Sequence, residues 1–119
     1  MQINIKHSNV EITEAIKNYA EEKLSHLGKY ENEKSNLKIS LDIVRIEKHH
    51  KNGNHFKVSS SVTLGSRKVH IEEVSDDIYK AIDASKDRLN DELAHNSDKE
   101  RSLMKRFSRT IKNILKRGN

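Results

Sequence analysis

The sequence has no cysteine, no proline and no tryptophan, and only four glycines in 119 residues. Without cysteine the chain cannot carry a disulfide framework or a thiolate metal site. With so few glycines it has no glycine-rich loop of the kind that wraps around phosphates. No apolar run approaches the length of a membrane span, and the N-terminus lacks the basic-then-apolar pattern of a signal peptide. These absences predict a soluble, cytoplasmic protein.

Apolar and aromatic residues are also scarce, at 33% and 4% of the chain. A chain of 119 residues with this composition is expected to form one domain around one modest core. Charged residues make up 34%, and the formal net charge is +5. An excess of basic over acidic residues favours an anionic partner, such as nucleic acid or an anionic surface, but it does not specify a fold.

The first part of the chain predicts a strand followed by a helix. Ile3 and Ile5 alternate with polar residues and lie on one face of a short strand. Apolar residues then recur at helical spacing, which predicts an amphipathic helix over about residues 14–27. Thr13 is its expected N-cap, and Gly28 is where it is expected to stop.

Between residues 37 and 71 apolar residues recur at every second position, which predicts three strands in an antiparallel meander. Two-residue turns are predicted at Asn52-Gly53 and at Gly65-Ser66. The apolar phase of the first of these strands changes after Ile43, which indicates a bulge there or a twist at the strand end.

Residues 76–93, DDIYKAIDASKDRLNDEL, contain six acids against three bases in a chain that is basic overall. Their apolar residues predict a second amphipathic helix, with Ser75 as its cap. Asp76 and Asp77 stand where the dipole at a helix start favours an acid. The order β-α-β-β-β-α predicts an α+β two-layer sandwich, with two helices on one face of a four-stranded sheet.

The last segment holds all of the excess positive charge. Residues 98–119 contain eight lysines and arginines against two acids, a net charge of +6, which leaves −1 for the rest of the chain. A capping-box pattern and helical spacing predict a separate third helix over about 98–116, after a break at Asn96. We therefore divide the chain into a βαβββα domain, 1–96, and a basic amphipathic tail, 97–119.

No residue pattern indicates catalysis. Four histidines surround the predicted hairpin: His49, His50, His55 and His70. No acid or cysteine completes a metal-ligand set beside them, so we interpret them as part of a polar loop. Asp83 and Asp87 lie one helical turn apart, and we interpret them as a solvated face. Tyr30 and Tyr79 are expected to pack at helix edges. The sequence thus predicts no enzyme activity, no cofactor, no metal and no small-molecule substrate.

Two motifs, joined by the three predicted strands, carry a resemblance to a known family. NVEITEAIKNYAEEKLSHLGKY lies near the N-terminus, and DDIYKAID opens the second helix. Together they resemble the ribosome hibernation promoting factor family, whose members are also termed ribosome-associated inhibitors or sigma-54 modulation proteins. The similarity covers about residues 1–95 and is to the short form, which lacks a C-terminal dimerisation domain. It implies the fold predicted above.

The resemblance also implies a function. Members bind whole ribosomes in the decoding region of the small ribosomal subunit and sterically block mRNA and tRNA, which silences translation in stationary phase or stress. The residues that match the family's basic rRNA contacts are Lys17, Lys23, His26, Lys29, Lys86 and Arg88. The second helix departs from the family's densely basic end, because it reads Asn90, Asp91 and Glu92 there.

The tail is predicted to supply the phosphate contacts that the second helix lacks. Its candidate rRNA-binding residues are Lys99, Arg101, Lys105, Arg106, Arg109, Lys112, Lys116 and Arg117. An alternative interpretation is a peripheral membrane or protein-partner module, in which the domain presents a basic amphipathic tail helix. The tail has no tryptophan to anchor it in a membrane interface, so we favour the ribosome over the membrane as partner.

Overall fold

The computed structural model describes residues 1–46 and 55–102, and it arranges them as a four-stranded sheet with helices on one face. The strands are β1 (Gln2–Ser8), β2 (Leu37–Ile46), β3 (His55–Leu64) and β4 (Arg67–Ser75). The helices are α1 (Glu14–Ser25), a 3-10 helix (His26–Tyr30) and α2 (Ile78–Ser102). The predicted βαβββα order and the two-layer α+β architecture are confirmed. The predicted tail beyond residue 102 lies outside the described residues.

The strand order is β1-β2-β3-β4, with β1 parallel to β2 and the other two pairs antiparallel. A parallel pair needs a crossover connection, and α1 is that crossover. The prediction of a bulge near Ile43 is wrong, because the register of β2 with both of its neighbours is unbroken. Ile43 is buried in the core and Val44 is half-buried on the opposite face, so the open face of the sheet simply becomes apolar at the strand end.

The turn between β3 and β4 requires a glycine. The register leaves Gly65 and Ser66 as a two-residue loop, and Gly65 has a φ of 62°. This left-handed conformation favours glycine, so the predicted glycine-first turn is confirmed. A Cβ at this position would also lie 2.9 Å from the Ser35 Oγ. The other predicted turn, at Asn52-Gly53, lies outside the described residues.

The first helix begins as predicted and ends differently. The Thr13 Oγ1 accepts a hydrogen bond from the Ile16 N–H at 3.1 Å, which confirms the N-cap. The predicted stop at Gly28 is wrong, because α1 ends at Ser25 and the chain continues through Gly28 as the 3-10 helix. The tighter winding brings Leu27 into the core, where it is fully buried.

The cap of α2 is Asp77, not Ser75. The Asp77 Oδ1 accepts hydrogen bonds from the Tyr79 N–H at 2.8 Å and from the Lys80 N–H at 3.4 Å. The Ser75 Oγ instead accepts the Asp77 N–H at 3.2 Å, so it holds the capping residue in place. An aspartate at the N-cap satisfies free N–H groups and also complements the positive end of the helix dipole.

The predicted break at Asn96 is wrong, because α2 continues without interruption to Ser102, and the rest of the predicted third helix lies outside the described residues. No glycine or proline lies between residues 78 and 102, and one asparagine inside a helix costs only a few tenths of a kcal/mol relative to the best helix formers. A capping-box pattern is therefore compatible with a helix interior here. The division of the chain at residue 96 does not coincide with a helix end.

The hydrophobic core lies between the helices and the inner face of the sheet. Its buried apolar residues are Ile16, Ala20, Leu24, Leu27, Leu37, Ile39, Leu41, Ile43, Val58, Val62, Leu64, Val69, Ile71, Ile78, Ala81, Ile82, Leu89 and Leu93. Ser60 and Ser85 are buried among them. The Ser85 Oγ donates to the Ala81 carbonyl at 2.7 Å, whereas the Ser60 Oγ has no partner in the described part of the chain. The strands alternate, so their other residues form an open face towards solvent.

Candidate nucleic-acid interface

Helix α1 and the 3-10 helix that follows it lie beside α2, and we term the line along which they meet α2 the helix seam. On α2, side chains at intervals of four, three and four residues share one side of the helix. These residues are Tyr79, Asp83, Lys86 and Asn90. Four residues of α1 and the 3-10 helix complete the seam: Tyr19, Lys23, Lys29 and Tyr30.

Tyrosine side chains tie the seam together. The Tyr19 hydroxyl donates to the Asp83 Oδ1 at 2.6 Å. The Tyr30 hydroxyl lies 2.9 Å from the Asn90 side-chain oxygen and 3.2 Å from its carbonyl oxygen. The Tyr19 ring packs edge-on against the Tyr79 ring, with centroids 4.9 Å apart. The prediction that Tyr30 and Tyr79 pack at helix edges is confirmed, and these contacts hold the seam in one arrangement.

Two predicted rRNA-binding lysines lie against the seam tyrosines. The Lys23 Nζ is 5.5 Å from the Tyr19 ring centroid and 3.9 Å from the Asp83 Oδ1. The Lys29 Nζ is 5.3 Å from the Tyr30 ring centroid. Attraction between a cation and an aromatic face orients both ammonium groups. Both remain accessible to an anion, since the Lys23 side chain is 37% exposed and Lys29 is exposed.

Lys86 is the third lysine of the seam and the most covered of the three. Its side chain is 24% exposed, and its Nζ lies 3.8 Å from the Asp87 Oδ1. An exposed carboxylate at this distance is a weak partner, because water screens the pair. Lys86 can therefore move its ammonium group from Asp87 to a phosphate at little cost.

The other predicted residues of the helices do not belong to the seam. Lys17 lies on the opposite flank of α1, where it lines a shallow depression beside β1. Arg88 lies on the far flank of α2, where its guanidinium donates to the Glu72 carbonyl at 3.1 Å and to the Glu73 carboxylate at 2.9 Å. His26 is exposed at the end of α1. The structure thus brings together three of the six predicted helix residues.

Asp83 links α2 to α1 in a way that the sequence does not reveal. The interpretation of Asp83 as part of a solvated face is only partly right: its side chain is 44% exposed, but its carboxylate also accepts the hydrogen bond of the Tyr19 hydroxyl and lies 3.9 Å from the Lys23 Nζ. The hydrogen bond to Asp83, followed by burial and nearby negative charge, raises the pKa of Tyr19 to about 12. The raised pKa extends to higher pH the range over which the phenol stays protonated and donates this hydrogen bond. The two residues are 64 positions apart, and no local pattern joins them.

The remaining predictions fall at the edge of the described chain or beyond it. Lys99 and Arg101 belong to the last turns of α2. Six predicted tail residues lie outside the described residues: Lys105, Arg106, Arg109, Lys112, Lys116 and Arg117. His49 and His50 also lie outside. Within residues 1–46 and 55–102, no group of three His, Cys, Asp or Glu side chains is placed to hold a metal ion. None of the helices in that part of the chain is both long and apolar enough to cross a membrane.

Comparison with known proteins identifies the family. The sequence matches the family model described as "Sigma 54 modulation protein / S30EA ribosomal protein" over residues 3–101. It is 29% identical over 104 residues to the ribosome hibernation promoting factor of Pseudomonas putida, covering 87% of this chain and 94% of that protein. It is 35% identical over 83 residues to the ribosome hibernation promoting factor of Acidithiobacillus ferridurans, covering 70% of this chain and 100% of that protein.

Solved structures agree with this assignment. The crystal structure of the Thermus thermophilus Protein Y N-terminal domain is similar with a TM-score of 0.67 and 31% sequence identity, over 78% of this chain and 96% of that one. The matched region spans both helical motifs and all four strands of the described sheet. The chain therefore belongs to the sigma 54 modulation protein / S30EA ribosomal protein family, the family that its two motifs resemble.

Proposed function

We propose that this protein is a ribosome hibernation factor that acts in the cytoplasm. It binds the decoding region of the small ribosomal subunit and blocks mRNA and tRNA by occupying their space. Its partners are the rRNA and proteins of that subunit, within whole ribosomes. Family membership supports the proposal, as do the names of the relatives, which are ribosome hibernation promoting factors. Inhibition by occupancy requires no bond-making step and therefore no catalytic residue.

The observation that carries the proposal is the row of lysines along the helix seam. Lys23 and Lys29 are oriented by aromatic rings before any RNA arrives, so little side-chain entropy is lost when they bind phosphate. Lys86 adds a third ammonium group from α2. Phosphate contacts position a protein on nucleic acid without reading its sequence. Such contacts suit a folded rRNA surface, which is recognised largely by shape and backbone.

Replacement of Lys23 and Lys29 by glutamine tests the proposal. The double variant should co-sediment with ribosomes less completely than the wild type and should inhibit translation less. Two lost phosphate contacts should also flatten the slope of log affinity against log salt by about 1.4–1.8. Lys6→Gln with Lys57→Gln is the matched control, because it removes the same charge from the opposite, open face of the sheet. Full ribosome binding by the Lys23/Lys29 variant would remove the helix seam from the interface.

The location on the ribosome needs a separate measurement. We expect the protein to bind isolated small subunits, and mRNA with tRNA already bound in the decoding region should exclude it. Binding to large subunits alone, or undiminished binding beside mRNA and tRNA, would contradict the proposed location while leaving a role on the ribosome intact.

A further inference from the structure

The open face of the sheet has one half without acids. The strand registers align its outward-facing side chains in rows across all four strands. Beside the β3–β4 turn the first row is Gln2, Lys38, Thr63 and Lys68, and the second is Asn4, Ser40, Ser61 and His70. We term these eight residues the open-face patch. Acids appear only in the third row, which is Lys6, Asp42, Ser59 and Glu72.

The lysines of the patch differ from those of the acidic half. Lys38 and Lys68 are exposed and have no acidic partner within the part of the chain that the structure describes. In the other half Lys6 stands directly opposite Asp42, and the Lys57 Nζ lies 3.8 Å from a Glu72 carboxylate oxygen. The positive charge of the open face is therefore concentrated at Lys38 and Lys68.

The other patch residues supply polar groups that can form hydrogen bonds. Each has a hydroxyl, an amide or an imidazole, and seven of the eight patch residues are exposed. Ser61 and His70 form one hydrogen bond with each other, at 2.9 Å between Oγ and Nδ1. The His70 Nε2 lies 3.5 Å from Glu72, so this histidine borders the acidic half. Strand spacing places Lys38 and Lys68 about 10 Å apart and successive rows about 7 Å apart.

The chemistry of the patch identifies the kind of partner. Protein–protein interfaces have a centre of apolar residues or of Tyr, Trp and Phe, and none of the eight patch residues is of these types. Phosphate and ribose oxygens are hydrogen-bond acceptors, and Lys, Ser, Thr, Asn and Gln are the side chains that bind them. The absence of carboxylates from the patch removes the repulsion that a phosphate would meet elsewhere on this face.

We propose that the open-face patch binds the sugar–phosphate backbone of a second rRNA segment. This inference rests on the proposed function, because the RNA is that of the bound ribosome. The patch and the helix seam lie on opposite layers of the sandwich, so the domain is held between two RNA segments. Each contact raises the effective concentration of the other, and loss of either one weakens binding by more than its own contacts would suggest.

The test compares two pairs of lysines on the same face. Lys38→Gln with Lys68→Gln removes the charge of the patch, and Lys6→Gln with Lys57→Gln removes the same charge from the acidic half. Ribosome binding by the full chain is measured over a series of salt concentrations. We expect the patch variant to bind more weakly, with a slope of log affinity against log salt that is shallower by about 1.4–1.8. The control should keep the wild-type slope, and both variants should keep the wild-type melting temperature.

The outcomes separate the two proposals. If the wild type itself does not bind ribosomes, the proposed function fails and this inference fails with it. If the wild type binds and the patch variant keeps its affinity and slope, the patch is only a solvated surface. If the slope of log affinity against log salt becomes shallower by the same amount in both variants, the effect is one of net charge and the patch is not a site. A weaker patch variant with an unchanged slope would point to a ribosomal protein and overturn the assignment to RNA.

Discussion

Asp83 receives two interactions from α1, a hydrogen bond from the Tyr19 hydroxyl and the positive charge of Lys23. The aspartate therefore fixes the Tyr19 side chain, and Lys23, a lysine that we propose for RNA binding, lies over the ring of that tyrosine. Its negative charge also favours the protonated form of Tyr19, and the raised pKa of that tyrosine is the sign of this coupling.

The Tyr19 hydrogen bond predicts a loss of stability at alkaline pH. The pKa of Tyr19 is about 12 in the folded protein against an ordinary value of 10.0. A raised pKa stabilises the fold below pH 10, and this contribution is lost as the pH rises towards 12. The difference in unfolding free energy between the wild type and Tyr19→Phe should therefore shrink over that interval, as measured by urea denaturation.

Asp83→Asn provides the control for this effect. Removing the carboxylate should lower the pKa of Tyr19 towards 10.0 in a spectrophotometric titration, because the hydrogen bond to Asp83 is the largest cause of the shift. If the stability of the wild type and of Tyr19→Phe changes in parallel with pH, the hydrogen bond does not contribute as we describe.

Arg88 matches a basic rRNA contact of the family, but in this structure its side chain makes contacts within the domain. Its guanidinium binds a backbone carbonyl of β4 and the Glu73 side chain. β4 is an edge strand, and free carbonyls of an edge strand invite pairing with another chain. Arg88 covers one such carbonyl, so we expect its loss to affect the sheet edge more than RNA binding.

Among the elements, α2 contacts both the sheet and the first helix. It starts at an aspartate cap, packs apolar residues against β3 and β4, and carries the seam residues towards α1. Two of the six acids in residues 76–93 make these contacts, Asp77 as the cap and Asp83 in the seam, and Asp76 lies just before the helix start, where the dipole favours an acid. Asp87, Asp91 and Glu92 remain exposed.

The buried face of α2 predicts the effect of a cavity. Ile82 is 0% exposed at the centre of that face, so Ile82→Ala should lower the free energy of unfolding by about 2–5 kcal/mol. Val74→Ala is the matched control, because Val74 is 44% exposed on the open face and its truncation leaves no cavity. Chemical denaturation of both variants measures the difference. Equal stability of Ile82→Ala and the wild type would mean that the helix buries another face.

For the whole molecule, the excess of positive charge is concentrated in the last 17 residues of the sequence. Residues 1–102 hold 17 bases and 18 acids, whereas residues 103–119 hold six bases and no acid. The described part of the chain is thus nearly neutral overall, and we expect the basic residues of 103–119 to supply the long-range attraction. Such attraction raises the rate of encounter with an anionic partner and weakens as salt is added.

Truncation after Ser102 tests the role of the tail. The cut keeps all of α2, so the truncated protein should fold with an unchanged melting temperature. It should bind ribosomes more weakly, with a salt slope shallower by up to about 4–5 for six lost phosphate contacts. Full affinity with an unchanged slope would mean that residues 103–119 make no rRNA contact. Loss of binding to anionic vesicles, with ribosome binding unchanged, would support the membrane module instead.

The sequence by itself determined the elements and their inner faces. The alternation in β2 and β3, the cap at Thr13 and the turn at Gly65 are all confirmed by the structure. Each depends on residues within a few positions of one another, because periodicity, capping and turn conformation are properties of short segments. The family followed from two such segments and the strands between them.

Only the tertiary structure decided how these elements end and which distant residues meet. The helix stop at Gly28 and the break at Asn96 have local signals, but packing of Leu27 and continuation of α2 override them. Helical spacing places Lys17 and Lys23 on different sides of α1, but the spacing does not tell which of the two lies beside α2.

The two proposed RNA-binding surfaces show the same division. The hydrogen bond from Tyr19 to Asp83 closes the helix seam across 64 positions, and the row that contains Lys38 and Lys68 requires the registers of three strand pairs. The sequence does determine that both lysines point away from the core. Their alignment in one row depends on the packing of the whole chain, because contacts between distant residues form only when the core brings their elements together.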